Sequence, residues 1–238
     1  MDWNTASDFY LAEHWDPSLA PFSTWSESVF PLNWAQLIQV PPPPLGATEN
    51  EIIELVALKG IRQQNQNLIW HEATVESALV EPFQRIVQCA LDPVIYATIR
   101  AFIVEEAMPV FYFKRLYSRT RPFQVDGTLG TVIPQGSEYF PRHPSYPSSH
   151  ATQATIVAEV IKFLLDPYGT PATAEQRARI DQVAFLIGFR REIAGFHFRS
   201  DTIAGISLGR QIFTLLRPQP TIAHLLVEAR RRFMILNG

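Results

Sequence analysis

The chain has 238 residues, 47% hydrophobic, 12% aromatic and 18% charged, with a net charge of −3. That is enough apolar material for one large buried core, and it is not the composition of a disordered chain. The negative balance excludes a general nucleic-acid binder, which needs a broad basic surface to displace counterions from phosphates, so any anion site must be local.

Residues 1–45 read as an irregular arm. Trp15, Phe22, Trp25, Phe30 and Trp34 follow no sustained period. The run Pro41 to Pro44 can only be an extended polyproline stretch. It reads as a rigid strap to the first helix, with a ligand for a proline-binding module as the lesser alternative. Residues 46–238 form one helical domain. Thr48 and Glu51 make a capping box, and Ile52, Ile53, Leu55, Val56 and Leu58 then recur at helical spacing. A second helix is expected over about 67–81. Cys89 stands alone, so no internal disulfide can form, and it reads as a small core residue.

Asp92-Pro93 caps an apolar helix that carries Ile95, Ile99, Phe102 and Ile103 toward Phe111, with a kink expected at Pro109. Further helices are predicted over about 150–165, 173–194, 199–216 and 221–236. In the last, Arg230 to Arg232 would complement the negative end of the dipole. Strand signals are scarce, which predicts an all-α fold, a single-domain helical bundle. The stretch from Pro122 to Pro147, with three glycines and five prolines, reads as a long functional loop. No run reaches the roughly eighteen apolar residues of a membrane span. The first residues also lack a leader pattern, so the chain is expected to be cytoplasmic unless a leader is missing from it.

Three segments carry chemistry. In the first, Lys114 and Arg121 lie two helical turns apart and would project from one helix face, with Arg121-Pro122 ending the helix. A solvated basic helix end is the bland alternative. In the second, Pro144 to Thr152, small hydroxyl residues open an apolar helix. Capping alone would account for them, but a helix start also turns free N–H groups and a positive dipole end toward any nearby anion. His150 sits at that mouth with a pKa suited to proton exchange. In the third, His197 and Asp201 are four apart, so a carboxylate can fix one imidazole nitrogen while the other attacks. Gly195 permits a tight turn that brings Arg191 near. Taken alone, such a pair is more often a surface hydrogen bond.

Together and in order, these segments read Lys, six residues, Arg-Pro; Pro-Ser-x-His; then Arg, five residues, His, three residues, Asp. This resembles the three-part signature of the type 2 phosphatidic acid phosphatase and vanadium haloperoxidase superfamily. The resemblance implies that Lys114, Arg121 and Arg191 bind an oxyanion, helped by Ser148 and the backbone N–H of Ser149. It implies that His197 attacks phosphorus or, in a haloperoxidase, ligates vanadium, and that His150 is the acid and base. Two positions depart from the pattern: Ser149 stands where glycine is usual, and Arg190 where serine is usual. A positive backbone angle at 149 would be uncomfortable for serine.

Within the superfamily, Lys-x-x-Tyr-x-Arg-x-Arg-Pro-Phe, Ser-Tyr-Pro-Ser and the Ala-Gly and Leu-Gly pairs at 204–209 resemble soluble class A bacterial acid phosphatases. Gly195 to Asp201 and Tyr-Pro-Ser-x-His-Ala-Thr resemble vanadium haloperoxidases. The expectation is a metal-independent phosphatase that hydrolyses small phosphomonoesters through a phosphohistidine, with no cofactor. The alternative is a haloperoxidase that holds vanadate and takes halide and hydrogen peroxide. A silent oxyanion-binding protein is a third reading, and homo-oligomerisation is left open.

Overall fold

The computed structural model describes residues 28–44, 49–87, 92–134, 136–166 and 173–237, and among them there is no strand. Trp15, Phe22, Trp25, Thr48 and Cys89 lie outside these residues. The described part of the arm holds one helical turn, α1 (Trp34–Leu37), and then the proline run. The strap is fastened by two tyrosines. Tyr117 Oη donates to Val40 O at 2.6 Å, and Tyr146 Oη donates to Pro41 O at 2.5 Å.

Helix α2 (Glu49–Lys59) is followed by α3 (Arg62–Thr74), a 3-10 turn (Glu76–Leu79) and α4 (Glu81–Val87). The helix expected over 67–81 is therefore two helices with a break between them. Val75 is extended, and Pro82 can be accommodated only in the first turn of a new helix, because it lacks an N–H. The capping box expected of Thr48 and Glu51 lies partly outside the described residues; the Glu51 carboxylate accepts from Arg119 and Ser200, 68 and 149 residues away.

Helix α5 (Pro93–Tyr117) starts as its sequence predicts, with the Asp92 carboxylate accepting from Val94 N at 2.8 Å. It runs through Pro109 without ending there. The described residues of the stretch 122–147 include two short elements, α6 (Pro122–Val125) and a 3-10 turn (Gly127–Leu129), with Leu129 and Ile133 buried. Long helices α7 (Ser149–Leu165), α8 (Ala174–Ile193), α9 (Arg199–Leu216) and α10 (Pro220–Asn237) complete the bundle.

Helix α7 is the hub, packed on α5, α8, α9 and α10 and buried along most of its length. Its closeness to α9 depends on missing side chains. A Cβ at Gly205 would lie 2.5 Å from Ser148 O, and one at Gly209 would lie 2.7 Å from Thr152 O. The two backbones therefore touch, and Ser148 N donates to Asp201 O at 3.1 Å. Arg230 to Arg232 do not cap the dipole, because α10 continues to Asn237. Arg230 stacks on Phe163 and Arg232 binds Asp92 at 2.7 Å, which ties α10 to α7 and to the start of α5.

Candidate active site

The three sequence segments converge on one cavity of about 550 Å³. Arg121, Ser149, His150, Arg191 and His197 line its polar side, and Ile103, Phe111 and Ile133 contribute to its apolar side. Arg121 reaches it by a route that helical spacing does not give. Helix α5 ends at Tyr117, Ser118 turns left-handed at φ 44°, and Arg121 lies beyond the helix in extended backbone. From there the guanidinium donates to Phe196 O at 2.8 Å and to His143 O at 3.0 Å, and NH1 lies 3.5 Å from His197 Nε2.

His197 sits in the turn between α8 and α9, next to Gly195. That glycine takes φ 84° and lies so close to Gly130 O that a Cβ would be 2.3 Å from it. His197 Nδ1 lies 3.2 Å from Asp201 Oδ2, which also accepts from Phe198 N at 3.0 Å. Burial, reinforced by the fields of Arg121 and Lys114, lowers the His197 pKa to about 3 even though Asp201 opposes the shift. The ring is therefore neutral over the ordinary pH range. With its Nδ1 proton directed at Asp201, Nε2 presents a lone pair beside Arg121. Burial of Asp201 raises its pKa, but Arg119 and His197 outweigh that and hold it at about 2. Arg119 donates to Asp201 Oδ1 at 2.6 Å while its guanidinium lies 4.2 Å from the centre of the Phe198 ring.

His150 is in the first turn of α7, where its ring hydrogen-bonds to the Glu72 backbone. Burial lowers its pKa well below the usual 6.5, and Arg191 and His197 lower it further. Arg191 is buried and donates to Glu72 Oε2 at 2.5 Å. The unusual Arg190 binds the other oxygen of the same carboxylate, its Nε lying 2.6 Å from Glu72 Oε1. This pairing gives the departure at 190 a structural reason. Burial pulls the Arg191 pKa down somewhat while Glu72 supports its charge.

Ser149 is the first residue of α7 and does not adopt a positive φ, so the strain expected for serine at a glycine position does not arise. Its Oγ and the Nε of Arg191 are both buried without a hydrogen-bond partner among the described residues. These donors suit an oxyanion. Lys114 and Ser148 are placed differently from expectation, since neither lines the cavity. The Lys114 ammonium donates to Pro144 O, Ser145 O and Pro147 O at 2.8, 3.2 and 2.6 Å, so all three of its N–H groups hold the loop before α7. Ser148 Oγ caps α7 by accepting from Ala151 N at 3.4 Å.

Spacing did not point to Glu72, Arg119, His143 or Glu106. Glu72 is 119 residues from the arginine it holds. Arg119 carries a faint signal, two residues before Arg121 in the same basic run. His143 lines the cavity, its Nδ1 3.2 Å from Arg121 NH2. Glu106 does have a legible signal, because it interrupts the apolar stripe formed by Ile95, Ile99, Phe102, Val110 and Phe113.

The chain is similar in sequence to several known proteins. Over 110 residues the chain is 33% identical to a vanadium-dependent bromoperoxidase of Ascophyllum nodosum, covering 37% of this chain and 19% of the relative. Over 125 residues it is 29% identical to a non-specific acid phosphatase of Salmonella typhimurium, covering 52% of this chain and 46% of the relative. The chain thus spans less than half the length of either relative. A transmembrane PAP2-type phosphatidylglycerolphosphate phosphatase from Bacillus subtilis overlaps 71% of this chain and 93% of its own, at TM-score 0.40 and 17% identity. Among the described residues of the present chain, no helix is long and apolar enough to cross a membrane. The PAP2 superfamily model matches residues 91–223, which include every cavity-lining residue of the three segments and more than half of the chain, so this protein belongs to the PAP2 superfamily.

Proposed function

We propose that this chain is a phosphatase that hydrolyses small phosphomonoesters through a phosphohistidine on His197. The observation that carries this reading is the neutral His197 imidazole, whose Nε2 stands 3.5 Å from the Arg121 guanidinium while Nδ1 is held by Asp201. Such an arrangement supplies a nucleophile beside a cation that neutralises the group under attack. Arg191 Nε, Ser149 Oγ and the N-terminus of α7 add donors for the remaining phosphate oxygens. Guanidinium groups provide the charge that a metal would supply elsewhere, so the reading needs no cofactor. His197 Nε2 bonds to phosphorus as the bond to the ester oxygen breaks, and His150, protonated in the complex, gives its proton to the departing alkoxide. Water then attacks the phosphohistidine, loses a proton to His150 and releases inorganic phosphate with the imidazole restored.

Burial and the field of Arg191 favour neutral His150, so a bound dianion must raise its pKa before it can act as an acid. Alkaline quenching of a reaction with labelled phosphomonoester should trap acid-labile label on His197, and H197A should abolish both label and turnover. Hydrolysis retained in H197A would end the covalent reading.

The 33% identity to a bromoperoxidase favours a second reading. The same donors fit vanadate, with His197 Nε2 as the ligand and Arg121 and Arg191 around the oxygens. Vanadate would supply a Lewis-acidic centre for peroxide. Halide oxidation by vanadate-loaded protein, together with no trapped label and no ester hydrolysis, would favour this reading over the first.

A further inference from the structure

Glu106 is difficult to explain by stability. It occupies a core position in the apolar stripe of α5, is 2% exposed, and leaves Oε2 without a hydrogen-bond partner among the described residues. A buried acid so placed destabilises a fold, and a leucine of similar volume would be neutral or better. Glu106 nevertheless lines the cavity that holds His150 and His197. Its carboxyl hydrogen-bonds with Gln153, which lines the same cavity and lies three residues after His150, one turn along α7. The pair is therefore on the side of the cavity where His150 would meet the leaving oxygen, among the apolar side chains of Ile103 and Ala107.

Resting on the phosphatase reading, we propose that Glu106 and Gln153 form the subsite for the alcohol half of the ester and select alcohols that carry a neutral hydroxyl on a small ring or chain. A hydroxyl can donate and accept, so it can satisfy the orphaned oxygen whichever way the carboxyl proton lies. An ammonium group would be opposed by Arg121, Arg191 and Lys114. A second anion would be drawn to the guanidinium groups rather than to a carboxyl. Burial raises the Glu106 pKa to about 8, with Gln153 and Lys114 opposing the shift, so at neutral pH the group is largely a hydrogen-bonding acid rather than a charge. The cavity, about 550 Å³, has room for a phosphate and a ring of this kind.

The test compares ribose 5-phosphate with tetrahydrofurfuryl phosphate, the same ring stripped of its hydroxyls. Wild type should prefer the former in kcat/KM by about tenfold, the value of one well-made hydrogen bond in a dry site. E106L and Q153L should each bring the ratio close to one, whereas E106Q, which keeps shape and hydrogen bonding, should retain most of it. No preference in wild type, or the same preference in wild type and both leucine variants, overturns the proposal. Calorimetric competition of the non-hydrolysable methylene phosphonate analogue of each ester against inorganic phosphate reads the binding preference without turnover. If wild type hydrolyses neither ester the phosphatase reading fails, and this affinity ratio alone then decides for or against the Glu106 subsite.

Discussion

His150 and His197 both lose their protons more readily than free histidine, because they are buried among Arg121, Arg191 and Lys114. An oxyanion placed in the cavity offsets that positive field and raises both values. Binding must therefore take up protons, and affinity must rise as pH falls below neutrality. Calorimetry of inorganic phosphate at pH 6 in buffers of different ionisation enthalpy should show an uptake that H150A largely removes. No buffer dependence would mean that His150 stays neutral in the complex and cannot serve as the acid. At Asp201, both the fixed tautomer of His197 and the lowered pKa depend on Arg119. Removing one partner of such a pair leaves a buried charge uncompensated, so R119A should cost about 3–5 kcal/mol in chemical denaturation. Combining R119A with D201N should cost much less than the two single changes added together. Additive losses would show that the pair does not act as a unit.

At the scale of elements, the site depends on how close α9 lies to α7. A glycine-to-alanine change inside a helix ordinarily stabilises by about 1 kcal/mol through propensity. At Gly205 and Gly209 that gain should be overridden, because the added Cβ would lie 2.5 and 2.7 Å from carbonyl oxygens of Ser148 and Thr152. Overpacking of this kind typically costs about 1–3 kcal/mol. We expect G205A to lower the denaturation midpoint and also the affinity for phosphate, since the displaced backbone carries Ser148 and the start of α7. G136A, which meets nothing within 4 Å, should do neither and serves as the control. A stabilised G205A would show that the two helices can separate freely.

Over the whole molecule, buried acids and buried histidines give opposite pH dependences. Glu106 and Glu192 have folded pKa values raised to about 8 and about 7, so the folded state holds protons that the unfolded chain releases above its ordinary value near 4.5. Their contribution to stability is present below that value and is lost as pH rises through 7 and 8. The depressed histidines work the other way, costing stability as pH falls below 6.5. Between pH 6.5 and 8 in phosphate-free buffer the acids dominate, and Glu106 alone accounts for a loss of about 2 kcal/mol, at roughly 1.4 kcal/mol per proton per pH unit. Urea denaturation of E106Q across that range should show a shallower fall than wild type, and an equal slope would mean that Glu106 is ionised throughout. Local pattern was enough to specify the helical class, the Asp92-Pro93 start, and the helices that carry His150, Arg191 and Asp201, because capping, proline position and a 3.6-residue apolar period act within a few residues. The pairing of His197 with Asp201 was equally legible from their four-residue spacing, although His197 lies in the turn before α9 and only Asp201 is on the helix. Long-range packing decided the rest. It placed Arg121 beyond the end of α5, turned all three Lys114 donors onto loop carbonyls, and brought Glu72 to Arg190 and Arg191 across more than a hundred residues. The choice of partner for a buried charge depends on which elements meet in space, and a one-dimensional pattern carries no distance between segments so far apart.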